Sequence, residues 1–102
     1  MKRYIRASEE TRYNMSVNEL ISYLDNIKYD IKPDEEYTLA TSNGFIVDIF
    51  WGGNFTNVGY YPVVQVEFND KIIFHREGTE NSNYWYEVID RAINKIKKVE
   101  EQ

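Results

Sequence analysis

Between residues 37 and 75 apolar and polar side chains alternate, interrupted by two short turn signals, Asn43-Gly44 and Asn69-Asp70, and one glycine-rich connection. A period of two sends successive side chains to opposite faces of an extended chain, so this stretch has to build sheet. "EYTLATSNGFIVDIFW" reads as a hairpin. A type I′ turn needs positive φ at both central residues, and Asn-Gly is the dipeptide that best tolerates it. A two-residue turn sets Ser42 opposite Phe45, Ala40 opposite Val47 and Thr38 opposite Ile49. Phe45, Val47, Ile49 and Trp51 then form the core face, while Ile46, Asp48 and Phe50 look the other way with Leu39 and Tyr37. So apolar a second face is expected to be partly covered or used for binding.

"PVVQVEFNDKIIFHRE" reads as a second hairpin in which Val64, Val66 and Phe68 alternate with Gln65 and Glu67. A three-residue turn through Asn69, Asp70 and Lys71 aligns Ile72 and Phe74 with that apolar set and leaves Ile73 and His75 outside. A two-residue turn brings Ile73 and His75 beside Val66 and Val64 instead. Register follows burial, and the longer turn is expected because it does not bury His75.

A helix flanks the hairpins on each side. Ser16 and Glu19 make an S-x-x-E capping box, with Met15 and Leu20 at the staple positions. Val17, Leu20, Ile21, Leu24, Ile27 and Ile31 follow one helical face, and Pro33 is expected to end it. The last helix runs from Ser82 or Asn83 to Lys98, with Trp85, Val88, Ile89, Ala92, Ile93 and Ile96 as its stripe. In residues 1–14 the first eight positions read as a short strand or as a frayed terminus, followed by a polar linker, "EETRYN". The expected fold is a single α+β domain over residues 1–102. It has an antiparallel four- or five-stranded sheet with both helices on one face, in the order (β)-α-β-β-β-β-α.

With no cysteine, a disulfide scaffold, a thiolate zinc site and a cysteine nucleophile are all excluded. No apolar run approaches the roughly 20 residues of a membrane helix. The basic start has no apolar segment behind it, so a cytoplasmic protein is expected. Twelve Lys and Arg against seventeen Asp and Glu give −5, which opposes phosphate backbones and favours a protein partner with a basic surface. Lys2, Arg3, Arg6 and Arg12, or Lys95, Lys97 and Lys98, are local exceptions. The lysines also suit the negative end of a helix dipole.

His75 is the only histidine, and Glu77 shares its strand face, which is the one acid–base pairing available. The glycines match no phosphate-binding loop, and Asp34, Glu35 and Glu36 lack calcium-loop spacing, so neither metal nor cofactor is expected. Those carboxylates read as a solvated turn or, with Asp30, as an acidic contact for a basic groove. The connection "WGGNFTNVGYYP" is richer in candidates. Its Gly and Asn residues supply an adaptable backbone, and Phe55, Tyr60 and Tyr61 supply rigid contact area of the kind favoured at interfaces. The competing reading packs Phe55 or Val58 onto the sheet end and lets Tyr60 and Tyr61 open a strand.

The opening "MKRYIRAS" resembles the starts of small uncharacterised phage and mobile-element proteins of low-GC bacteria. The resemblance implies a compact accessory protein and carries no site residues. The leading expectation is a non-enzymatic protein-binding module, an inhibitor or adaptor, with contacts from Phe55, Tyr60, Tyr61, Asp34, Glu35 and Glu36. Two alternatives are a single-stranded nucleic-acid binder stacking bases on Tyr37, Phe50 or Tyr60, and a small enzyme using His75 and Glu77. The chain is expected as a monomer, or as a homodimer through "KIIFHRE" as an open edge.

Overall fold

The computed structural model describes residues 8–32, 35–53, 60–79 and 83–102. Seven elements follow one another: β1 (Ser8–Met15), α1 (Val17–Ile27), β2 (Glu35–Thr41), β3 (Phe45–Gly53), β4 (Tyr60–Phe68), β5 (Lys71–Glu77) and α2 (Tyr84–Glu100). The α+β class and the element order are as expected. The sheet is mixed, however: five strands lie in the order β1-β2-β3-β4-β5, and β1 runs parallel to β2 while the other pairs are antiparallel. A parallel pair needs a crossover, and α1 is that crossover.

"EETRYN", expected as linker, is most of β1. An edge strand pairs on one side only and can carry charge there, so apolar alternation is not required of it. Arg12 donates to Glu10 at 2.8 Å, and its guanidinium lies over the ring of Tyr23 on α1 at 4.9 Å, a cation–π contact made by an exposed side chain. Asn14 takes φ 60° at an irregularity in the β1–β2 register, and among the described side chains of β1 only Met15 enters the core. Residues 1–7, where a strand is also expected, lie outside the described residues.

The capping box forms as expected: Glu19 N–H donates to Ser16 Oγ at 3.0 Å and Ser16 N–H to Glu19 Oε1 at 3.1 Å. The helix ends at Ile27, short of Pro33, which lies outside the described residues. Ile31, placed on the helical stripe by spacing, packs on the core from beyond the helix end.

The first hairpin turns through three residues, Ser42, Asn43 and Gly44, with Gly44 at φ 110° and Asn43 outside the positive-φ region. Tyr37 therefore pairs with Ile49 and Leu39 with Val47, one residue away from the expected register. That slip turns Tyr37 and Leu39 to the helix side, where Leu39 is fully buried. Burial of two large side chains outweighs the preference of Asn-Gly for a tight turn. Thr41 closes the loop, accepting from Phe45 N–H at 3.0 Å and donating to Asn43 Oδ1 at 2.6 Å.

The positive-φ pair appears in the second hairpin, at Asn69 (50°) and Asp70 (69°). Phe68 faces Lys71 and Glu67 faces Ile72; then the register shifts, and Val66 faces Phe74. Ile73 is the extra residue. Phe74 and His75 end on the expected faces, but Ile72 is 60 % exposed while Ile73 packs against the core, the reverse of expectation. The two-residue turn and the bulge together bury Phe74 without burying His75.

Both helices cover one face. Leu20 and Leu24 of α1 and the six stripe residues of α2 close over Tyr37, Leu39, Phe45, Val47, Ile49, Trp51, Val64, Val66 and Phe74. Phe50 and Val63, paired on the outer face, are also buried but separate from that cluster. The outer face is thus buried at this one cross-strand pair, toward the end of the sheet where β3 finishes and β4 begins.

Candidate protein-binding surface

Of the residues expected to make contacts, the described ones open two strands, β2 and β4, at the same end of the sheet. Phe55 and Asp34 lie outside the described residues, as does the side chain of Tyr60. Tyr60 and Tyr61 open β4 opposite Gly53 and Gly52, and Tyr61 is half-buried. Glu35 and Glu36 belong to β2 and not to a turn. Glu35 accepts the hydroxyl of Tyr37, whose pKa is raised by its burial and then by that carboxylate. Glu36 is only 5 % exposed and so withdrawn from any rim.

Tyr37 and Phe50, named for base stacking, are both buried, Tyr37 on the helix side. His75 and Glu77 do share the outer face. A polar row crosses it in register, Thr38, Asp48, Gln65 and His75, one residue per strand. Thr38 donates to Asp48 at 3.0 Å; His75 Nδ1 meets Gln65 Oε1 at 2.8 Å, and Nε2 meets Glu77 Oε2 at 2.7 Å. Both His75 partners are acceptor oxygens, and a neutral imidazole carries one N–H, so it donates to one of the two at a time. Both ring nitrogens thus lie within hydrogen-bond reach of side-chain oxygens of the protein itself.

A different constellation forms where α1 meets α2. Lys28 caps the C-terminal end of α1, where a cation meets the negative end of the helix dipole. Its ammonium reaches Asp25 at 2.7 Å, one turn back, and Asp90 on α2 at 2.6 Å. Hydrogen bonds to Asp25 and then Asp90 hold its pKa above the usual lysine value, outweighing the opposing effect of burial. The residue is 7 % exposed because neighbouring side chains cover it, yet the site lies at the surface, where carboxylates keep part of their hydration.

Two tyrosines cover the cation. Tyr29 lies 5.2 Å and Tyr86 4.9 Å from the ammonium, and their ring centroids are 5.1 Å apart. Tyr86 is shifted upward in pKa, first by its hydrogen bond to Tyr29. Outwardly the pair is open: Tyr29 is 65 % and Tyr86 41 % exposed, with Asp25 and Asp30 exposed beside it. Cation–π attraction below and a neighbouring ring to the side hold each tyrosine before any partner arrives.

Spacing alone does not bring these residues together, because Lys28 and Asp90 are 62 positions apart. One trace is legible in retrospect. Tyr29, just beyond the end of α1, and Tyr86 on α2 are both aromatic and both off the apolar stripes that the spacing defines. The fold is a small mixed-sheet α+β domain, and the exposed Tyr29–Tyr86 pair lies over Lys28 where the two helices meet. No protein-family model, curated protein or solved structure matches the chain.

Proposed function

We propose that this chain is a non-enzymatic protein-binding module, an inhibitor or adaptor of phage or mobile-element origin. It works in the cytoplasm by occupying a partner's surface. The observation that carries the reading is the Tyr29–Tyr86 pair, exposed yet fixed over Lys28. Tyrosine is enriched among interface residues that dominate affinity, and side chains immobilised beforehand lose less entropy on binding. Asp25 and Asp30 flank the pair with negative charge, so the fitting partner presents Arg or Lys, whose guanidinium or ammonium can stack on the rings. The net charge of −5 and the burial of Tyr37 and Phe50 speak against a nucleic-acid platform. The side-chain oxygens within reach of both His75 nitrogens speak against acid–base catalysis.

The test is quantitative affinity capture from native lysate with Tyr29→Ala/Tyr86→Ala alongside the intact chain. A loss of at least about 2 kcal/mol, roughly 30-fold in affinity, is expected for two anchoring residues. Phe55→Ala/Tyr60→Ala serves as a separate arm for the connection 52–61. Capture undiminished in the Tyr29/Tyr86 variant but lost in the loop variant moves the contact to the loop.

A further inference from the structure

On the far side of α2 from the tyrosine pair, the charge reverses. Arg76 on β5 and Arg91, Lys95 and Lys98 on α2 line a cavity of about 260 Å³ with Phe74 and Asn94. Lys71 and Lys95 continue it into a second cavity beside Phe68 and Ile73. Among the described residues none of these cations lies within 4.0 Å of a carboxylate, on a chain whose net charge is −5. Gathering unpaired cations costs self-repulsion, which an anionic ligand would relieve.

The groove runs along an open strand. β5 is last in the sheet order, so no strand pairs with its outer edge among the described residues. Gly78 N–H donates to Pro62 O at 3.0 Å, which marks Gly78 and Pro62 as a directly bonded pair of the antiparallel ladder. Such pairs alternate, so the amide and carbonyl groups of His75 and Glu77 point away from β4. Arg76 already reaches around to the carbonyl of His75 at 2.9 Å. Its guanidinium thus occupies an acceptor that an added strand would use.

We propose that the outer edge of β5 receives an extended acidic peptide from a partner protein as a sixth strand, its alternate carboxylates meeting the basic side of α2. Same-face residues of a strand recur about every 6.7 Å. Arg91 and Lys95 are separated by about 6 Å along the helix, and Arg91 and Lys98 by about 10.5 Å. An acidic residue at every second position matches the Arg91–Lys95 spacing. Phe74 is buried beneath Arg76 and offers no face to a base, so the groove suits a carboxylate-bearing strand better than a single-stranded nucleic acid. This surface is independent of the Tyr29–Tyr86 patch and opposite to it in charge.

The experiment titrates the full chain, at low salt, with a capped synthetic peptide Thr-Glu-Val-Glu-Val-Glu-Thr, followed by backbone amide NMR and hydrogen exchange. The proposal expects shifts along β5 and slowed exchange at the His75 and Glu77 amides. It expects at least tenfold weaker binding for the Gln-for-Glu peptide and for Lys95→Glu/Lys98→Glu, whose melting should match the parent's. Tyr29→Ala/Tyr86→Ala should bind the peptide unchanged, which separates this surface from the one above. Shifts that avoid β5, equal binding of the Gln peptide, a preference for an oligothymidylate, or self-association of the chain through β5 that the peptide does not disrupt would each overturn it.

Discussion

At the residue scale, the close approach at Gly78 decides how the end of β5 meets α2. A Cβ there would lie 1.9 Å from Cε1 of Tyr84, so the ring would have to move. That ring is held by its hydroxyl, which donates to the carbonyl of Arg76 at 2.9 Å. Gly78→Ala is therefore expected to destabilise the chain by roughly 1–3 kcal/mol in urea unfolding, the usual cost of overpacking. Tyr84 also sets an alkaline limit. Burial, with the charge of Glu77 adding to it, pushes its pKa up to about 12, against an ordinary value near 10. A raised folded-state value means the fold favours the protonated phenol. The stability it contributes is whole below pH ~10 and is lost as pH rises toward ~12. Tyr37 and Tyr23 shift in the same direction, each first because of burial. Unfolding free energy should fall across that window, and Tyr84→Phe should flatten part of the fall; an unchanged slope in the variant would contradict the assignment.

At the element scale, local signals and long-range ones part company. The capping box at Ser16 and Glu19 and the stripe of α2 were legible because each is complete within a few residues of chain. Ser16→Ala is expected to cost about 1 kcal/mol, measurable by chemical denaturation. Hairpin registers were not legible in the same way, because the turn dipeptide competes with burial elsewhere. Asn43-Gly44 yields its tight turn so that Leu39 and Tyr37 reach the core, and Asn69-Asp70 keeps its own with a bulge at Ile73. β1 was hidden for another reason: a polar edge strand has no apolar period to read. The bulge makes a clean pair of mutants. Ile72→Ala, at an exposed site, should change stability by less than about 0.5 kcal/mol, whereas Ile73→Ala, packed on the core, should cost clearly more. The opposite ranking would mean the second hairpin is paired as its sequence alone suggests.

For the whole molecule, the helix layer and the sheet divide the work. The core between them is closed by Leu20, Leu24 and the α2 stripe, so neither Tyr29 nor Tyr86 is needed to bury it. Lys28 joins the two helices across that layer, and its two carboxylates and two rings shape a surface that no local segment encodes. This is why the site stayed out of view in the sequence while the scaffold did not. The most direct measurement places a photoreactive benzoylphenylalanine at position 86 or, as a control, at position 13, whose tyrosine is 69 % exposed on β1 at the opposite edge of the sheet from β5. A discrete covalent adduct from position 86 and none from position 13, with both variants melting like the parent, is the predicted result. An adduct from position 13 and none from position 86 would contradict it.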